Sequence, residues 1–414
     1  MGRTEVSMTR VKLSAMMFLQ FMMLPVWFVP MFPYVDSLEG GAEWTLWCGM
    51  IMGFGTFLSP LFGMFADRLF NAERVLAFCN AACALLLATA FFVRSPALLF
   101  IILLAVMCFC MPTWALTATI AMANAAPGDF AKIRVFGTVG WVASGVFSCL
   151  GVRCFGLADF DATPWIFVAG AGTAALAALL AFFALPPTPP SARGAKLSIA
   201  DALGLRALVL FRDPAFAAFA ALVFCAMIPF QWYVVYNPVY LKESGFSYLT
   251  VTQNLGQVGE IGFMLLVPVI VRKFGYRNAM VIALGALTFR DVCFGAAAAF
   301  GWHALDFGGI LIHGLIFGLL IVGSQMYVDE VAPKELRNQA QGLVNLLTAG
   351  AGVFASNALF DTVLKKSATS TGAHAWTAAF GLAAALAVLV GLLMRRFLKP
   401  DGRGLKRAES RTSS

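Results

Sequence analysis

Charge is what this chain of 414 residues most lacks: Asp, Glu, Lys and Arg together make up 12% of it, and histidine occurs three times. Soluble domains carry roughly 25% charged residues, so an ordinary globular fold in water is excluded. Metal and disulfide chemistry have no foothold either. The nine cysteines are odd in number, lie mostly inside apolar runs, and show no paired ligand spacing. The phosphate-cradling Walker loop and the H-E-x-x-H zinc motif are absent, and no loop is long enough for a soluble catalytic domain. No enzyme, no cofactor and no ATP-driven pump are therefore expected. The strict alternation of a membrane β-barrel is missing as well, since windows such as 97–107 and 378–394 are continuously apolar.

What the chain does have is apolar length. It is 60% hydrophobic with a mean hydropathy of +0.83. A helix needs about 20 mostly apolar residues to cross a hydrocarbon core. That ruler predicts an all-α polytopic membrane protein with twelve spans, at 12–34, 45–66, 75–94, 97–125, 134–153, 165–186, 214–238, 250–271, 278–299, 307–328, 339–362 and 375–397. Leu13 to Tyr34 is too long for a signal-peptide core and has no small-residue cleavage site before Asp36, so it is expected to remain as the first span. A polar linker at 187–213, holding Pro-Pro-Thr-Pro-Pro and then Arg193, Lys196, Arg206 and Arg212, separates a six-span lobe at 1–186 from another at 214–398. A basic tail occupies 399–414.

The net charge of +8 lies in short loops and in the tail, which points to membrane orientation and not to nucleic acid. With the N-terminus in the cytoplasm, Arg94, Arg153, Lys242, Lys365 and Lys366 fall outside and Arg134 and Arg290 within spans. Every other Lys and Arg is cytoplasmic. The asymmetry places both termini in the cytoplasm. Six plus six helices around a basic linker is the pattern of a two-lobed transporter.

Ionisable groups inside spans are costly and usually face a cavity or one another. Span eight carries Gln253, Gln257 and Glu260 at i, i+4 and i+7, one polar stripe with a carboxyl halfway along, suited to taking up and releasing a proton. Span nine holds Arg290 and Asp291. As neighbours they point about 100° apart and are not expected to pair face to face; Arg290 is within reach of Glu260 on the adjoining span, and Asp291 is a second protonation candidate. Arg134, Thr138 and Trp141 share one face of span five and make a recognition strip for a polar, ring-bearing solute. Span ten puts His313 and Phe317 on one face with Ser324 two turns on, and Gln231 stands among aromatics between Pro229 and Pro238. The polar stripes of Gln20 in span one, of Thr113, Thr117 and Asn124 in span four, and of Gln341, Asn345 and Thr348 in span eleven read mainly as interhelical hydrogen bonding.

After span two comes Gly63-Met-Phe-Ala-Asp67-Arg68, echoed after span eight by Val271-Arg-Lys-Phe-Gly275-Tyr-Arg277. The first resembles the loop signature of the major facilitator superfamily. Further segments are Phe18-Leu-Gln20-Phe21 with Trp27, Met111-Pro-Thr113, Ile133-Arg134-Val-Phe-Gly137-Thr138-Val-Gly140, Gln257-Val-Gly-Glu260, Arg290, and Glu330-Val-Ala-Pro333 with Arg337-Asn-Gln-Ala340-Gln341-Gly342 after it. In this order they resemble the nucleoside:proton symporter family of that superfamily, over nearly the whole length. The resemblance implies a major facilitator fold and nucleoside import with protons by alternating access. It implies a site built from Arg134, Thr138, Gln231, Gln257, Glu260 and Phe317. Against the family pattern, His313 stands at an aromatic position, Val234 replaces an asparagine, and Gly318 replaces an acid, which leaves Asp291 as an extra carboxyl. The expected partners are a nucleoside, a proton and the bilayer of a bacterial inner membrane, with the chain acting as a monomer. A proton symporter of sugars or another small polar solute is the alternative. A receptor or membrane enzyme that moves nothing is a third.

Overall fold

A computed structural model describes residues 3–126, 129–157, 160–190, 205–333, 336–367 and 375–398. The basic tail and much of the expected linker lie outside the described residues, as do the side chains of Gly63 and Asp67. Among the described residues the structure is helical, with no strand. The helices are α1 (Arg3–Met23), α2 (Pro25–Phe28), α3 (Met31–Asp36), α4 (Ala42–Arg68), α5 (Ala72–Ala90), α6 (Pro96–Asn124), α7 (Phe130–Ala143), α8 (Gly145–Phe155), α9 (Trp165–Phe183) and α10 (Pro214–Glu243). They continue as α11 (Leu249–Phe300), α12 (Ala304–Leu311), α13 (His313–Phe317), α14 (Gly323–Val331), α15 (Arg337–Asn345), α16 (Gly352–Ser367) and α17 (Trp376–Phe397).

Among the described residues, ten helical stretches are long and apolar enough to cross a membrane. Large apolar side chains such as Leu85, Phe183 and Leu265 stand exposed on them, as lipid contact requires. α11 has 52 residues, about 78 Å of helix and far beyond one crossing of about 30 Å. Gly275 divides it: φ 75° and ψ 165° belong to a region that is essentially glycine's alone. The break falls between the expected spans 250–271 and 278–299.

Several expected spans are not single regular helices. The first is cut before Pro25 and again at Val29–Pro30, where the missing N–H and the ring of each proline end one helix and begin the next. α7 and α8 meet at Ser144. α13 passes into a π-turn at Gly318–Val322 before α14, and α15 into another at Leu346–Ala351 before α16. Each π-turn widens the repeat and rotates the next helix about its axis, so Ser324 does not simply continue the His313–Phe317 face. Its hydroxyl donates to the Leu320 carbonyl in the turn before it (2.5 Å).

The chain forms two compact units. Unit 1 is Met1–Ile199 with Pro238–Asn254, and unit 2 is Ala200–Asn237 with Leu255–Ser414. In unit 1 a buried polar chain ties three helices: Asn80 Nδ2 donates to Gln20 Oε1 (2.9 Å), and Gln20 Nε2 donates to Thr113 Oγ1 (2.7 Å). Such bonds between membrane helices average about 0.6 kcal/mol each. Gln20 and Thr113 are thereby engaged in packing. At one end of the unit, Glu73 accepts from the Thr188 N–H (2.8 Å) and Asn124 Nδ2 donates to the Thr188 hydroxyl (2.8 Å), anchoring the first residues of the linker. Unit 2 packs around Phe216, Phe219, Met280, Leu287, Leu320 and Met394. Ser356 Oγ there donates to the Ile228 carbonyl (2.7 Å).

Candidate functional site

In unit 1 the strip of Arg134, Thr138 and Trp141 lies on α7, and the structure joins it to two aromatics of other helices. The Arg134 guanidinium carbon sits 4.2 Å from the centroid of Phe21. Phe21 stacks on Trp114 (5.3 Å, 21°), and Trp114 meets Trp141 edge-on (6.4 Å). A cation on one ring and a run of three rings make a surface suited to a planar, polar solute. Glycine makes the arrangement fit. A Cβ on Gly137 would lie 2.6 Å from Arg134 Nη1 and 3.1 Å from Phe21 Cδ2, and one on Gly140 would strike the Phe18 carbonyl. Arg134 therefore does not merely reach for the membrane surface. Trp114 escaped the sequence reading because its spacing on α6 matches the apolar residues around it. Its indole N–H, buried and without a hydrogen-bond partner, is visible only in the structure.

Unit 2 holds the rest. The successive aromatics of α10 divide around Gln231. Trp232 stacks on Phe360 (4.6 Å), while Phe230 and Tyr233 stack on His313 (5.9 and 5.4 Å), leaving Gln231 half-buried between them. His313 is 7% exposed and also meets Phe317 at 6.2 Å, so its ring lies in an aromatic box with Nδ1 unpartnered. The shared face of His313 and Phe317 is present as expected. Gly318 backs onto Val267, whose Cγ2 would be 2.7 Å from an added Cβ. A side chain at that position, acidic or otherwise, needs Val267 to move.

Gln257 and Glu260 belong to the first half of α11, and glycines set that segment directly against the chain from Ile310 to Gly314. A Cβ on Gly256 would stand 3.0 Å from the Ile310 carbonyl oxygen, and one on Gly259 would stand 2.7 Å from that of Leu311. A Cβ on Gly314 would strike the Glu260 backbone itself. Backbone contact of this kind fixes the height of Glu260 against Gly314. Gly314→Ala is expected to cost about 1–3 kcal/mol through forced separation of the helices. Gly262→Ala, where nothing lies within 4 Å, is expected to be neutral or slightly stabilising. Thermal unfolding of the two purified variants tests the contrast.

The structure corrects the expectation that Arg290 and Asp291, as neighbours on one helix, do not pair. Arg290 is 0% exposed, and its long side chain curls back so that Nε comes within 3.6 Å of Asp291 Oδ1, despite the divergence of adjacent helical positions. Its guanidinium lies over Tyr233 (4.1 Å) and Phe230 (5.5 Å), and Nη2 donates to the Phe230 carbonyl (3.4 Å). Of the loop signature, Arg68 closes α4 in its last turn.

Comparison with known proteins gives the family of the chain. A family model described as "Nucleoside H+ symporter" matches residues 7–403. The chain is 37% identical over 363 residues to the "Putative nucleoside transporter YegT" of Escherichia coli strain K12, covering 86% of this chain and 85% of that protein. It is 27% identical to the "Xanthosine permease" of the same organism, over 84% and 86% of the two. The crystal structure of the nucleoside transporter NupG superposes with a TM-score of 0.81 at 23% identity, covering 94% of this chain and 98% of that one. That of a D-xylose-proton symporter gives 0.70 at 15% identity, over 97% and 99%. At these identities the two structures establish the fold alone, an all-helical membrane-protein fold shared over nearly the whole of each chain. The family match from one end of the chain to the other, with a relative above a third identical over most of both proteins, fixes the membership: this integral membrane protein belongs to the nucleoside H+ symporter family.

Proposed function

We propose that this chain imports nucleosides together with protons by alternating access, through twelve spans of a bacterial inner membrane with both termini in the cytoplasm. The family match over residues 7–403 carries the substrate class and favours it over the sugar reading. The geometry supports a division of roles. Arg134 over Phe21, with Thr138 and the rings of Trp114 and Trp141, offers a stacking face and donors for a base. Gln231, Gln257, His313 and Phe317 offer amide groups and rings of the kind that hold ribose and base edges. Glu260 is the first candidate for the coupled proton, and Asp291 beside Arg290 the second. Gly63, Asp67 and Arg68 are assigned to the conformational change.

The test is uptake of labelled uridine and adenosine into vesicles with an imposed inward proton gradient. The expected result is accumulation that collapses on adding an uncoupler. Vesicles that contain the protein yet neither bind nor take up either nucleoside would overturn the assignment.

A further inference from the structure

The first turns of α11 are held within unit 1 by hydrogen bonds for which substrate binding and proton coupling have no use. Asp161 lies in the helical turn Phe160–Ala162 and is 2% exposed. Its carboxylate accepts from the Ser148 hydroxyl (2.8 Å), the Thr250 backbone N–H (3.0 Å) and the Thr250 hydroxyl (3.0 Å). Thr250 is the second residue of α11, whose opening N–H groups have no partner in their own helix. Asp161 therefore caps that helix from a distant part of the chain and sets a negative charge at the positive end of its dipole.

One turn further on, Asn254 Nδ2 donates to the carbonyls of Trp141 (3.3 Å) and Val142 (3.2 Å) and to Ser144 Oγ (3.0 Å), where α7 gives way to α8. Ser144 and Ser148, four residues apart on one side, thus meet Thr250 and Asn254, four apart on the other. Gly145 sits between them, and a Cβ there would come 3.1 Å from Val251 Cγ2. All four polar residues are buried. An apolar seam would hold two helices together at least as firmly, because burying polar groups costs desolvation. A polar seam differs in that its register is fixed and its groups accept water when it parts. Such a seam suits a contact that must form and break in each cycle. Within unit 1 the seam includes the backbone carbonyl of Trp141, one of the candidate residues of α7.

We propose that Asp161 is a positioning residue for transport: it clasps the first turn of α11 and keeps the outer end of the substrate path shut, letting go in the state that admits solute from outside. The proposal rests on the transport reading for direction and solute, but the clasp itself is testable without any nucleoside.

Thr252, buried within the clasped segment, is replaced by cysteine in the full-length protein. Its labelling by a membrane-impermeant maleimide is then monitored in right-side-out vesicles by mass spectrometry of that peptide. Asp161→Asn is expected to speed labelling by about tenfold, as loss of a charge-assisted bond implies. Thr250→Val is expected to act in the same direction, and the double variant to add little to either single change. Ser148→Ala removes one donor and keeps a smaller effect measurable should the stronger variants fail to reach the membrane. In uptake, Asp161→Asn is expected to lower the apparent external KM while also lowering the maximal rate, because a larger share of the protein waits open to the outside. A general loss of folding does not produce that split. Unchanged labelling in all three single variants would overturn the clasp. Faster labelling in vesicles that take up no nucleoside would keep the clasp and overturn the substrate reading instead.

Discussion

Glu260→Gln is expected to abolish accumulation of nucleoside against its gradient while leaving downhill exchange in place. Glutamine keeps the size and the hydrogen-bonding capacity of the side chain, and the backbone contact of Glu260 with Gly314 does not depend on the carboxyl. The substitution removes the site that alternates between charged and neutral. One proton driven by about 100 mV contributes about 2.3 kcal/mol, which corresponds to roughly 50-fold accumulation at the limit. The wild-type protein is expected to approach that ratio in vesicles and the variant to stop near unity. The measurement is the steady-state internal to external ratio of labelled uridine, alongside the rate at which unlabelled uridine chases preloaded label. Wild-type accumulation by the variant would move the coupled proton elsewhere, with Asp291 next to be tested.

The fold was legible because the bilayer imposes a ruler. Apolar runs of about 20 residues with basic residues between them mark out spans before any contact is considered. The break at Gly275 fell where the interruption of charge by Arg272, Lys273 and Arg277 had placed it. Irregularities within spans were less visible. The prolines of the first span marked its cuts, but nothing in the local pattern distinguishes the π-turns at Gly318–Val322 and Leu346–Ala351 from ordinary helix, since both are runs of apolar and small residues. At the site, periodicity found groups that share a helix, such as His313 with Phe317, and missed those that meet from different helices, such as Trp114 with Phe21. It also failed for Arg290, because helical angles describe where a side chain starts and not where four rotatable bonds take it. The clasp at Asp161 was out of reach for a related reason. Its partners lie 13 and 89 residues away, and no local pattern connects them.

Arg290→Leu is expected to destabilise unit 2 by about 3–5 kcal/mol, the usual cost of breaking a buried ion pair from one side. The change removes the cation from the faces of Tyr233 and Phe230 and leaves the fully buried Asp291 carboxylate without its neighbour at 3.6 Å. Asp291→Asn is expected to cost less, because the guanidinium keeps both rings and the Phe230 carbonyl. Combining the two substitutions removes both charges at once and is expected to recover most of the loss, since an apolar or neutral replacement of a buried pair is often close to neutral. Thermal unfolding of the purified single and double variants gives the coupling energy as a cycle. A melting temperature for Arg290→Leu equal to the wild type would show that the pair holds nothing together. Uptake by the stable double variant then separates structure from coupling. Proton-driven accumulation at the wild-type ratio makes the pair a fixed element of unit 2, with the coupled proton left to Glu260. Accumulation lost with exchange retained would instead make Asp291 the acid that replaces the one absent at Gly318.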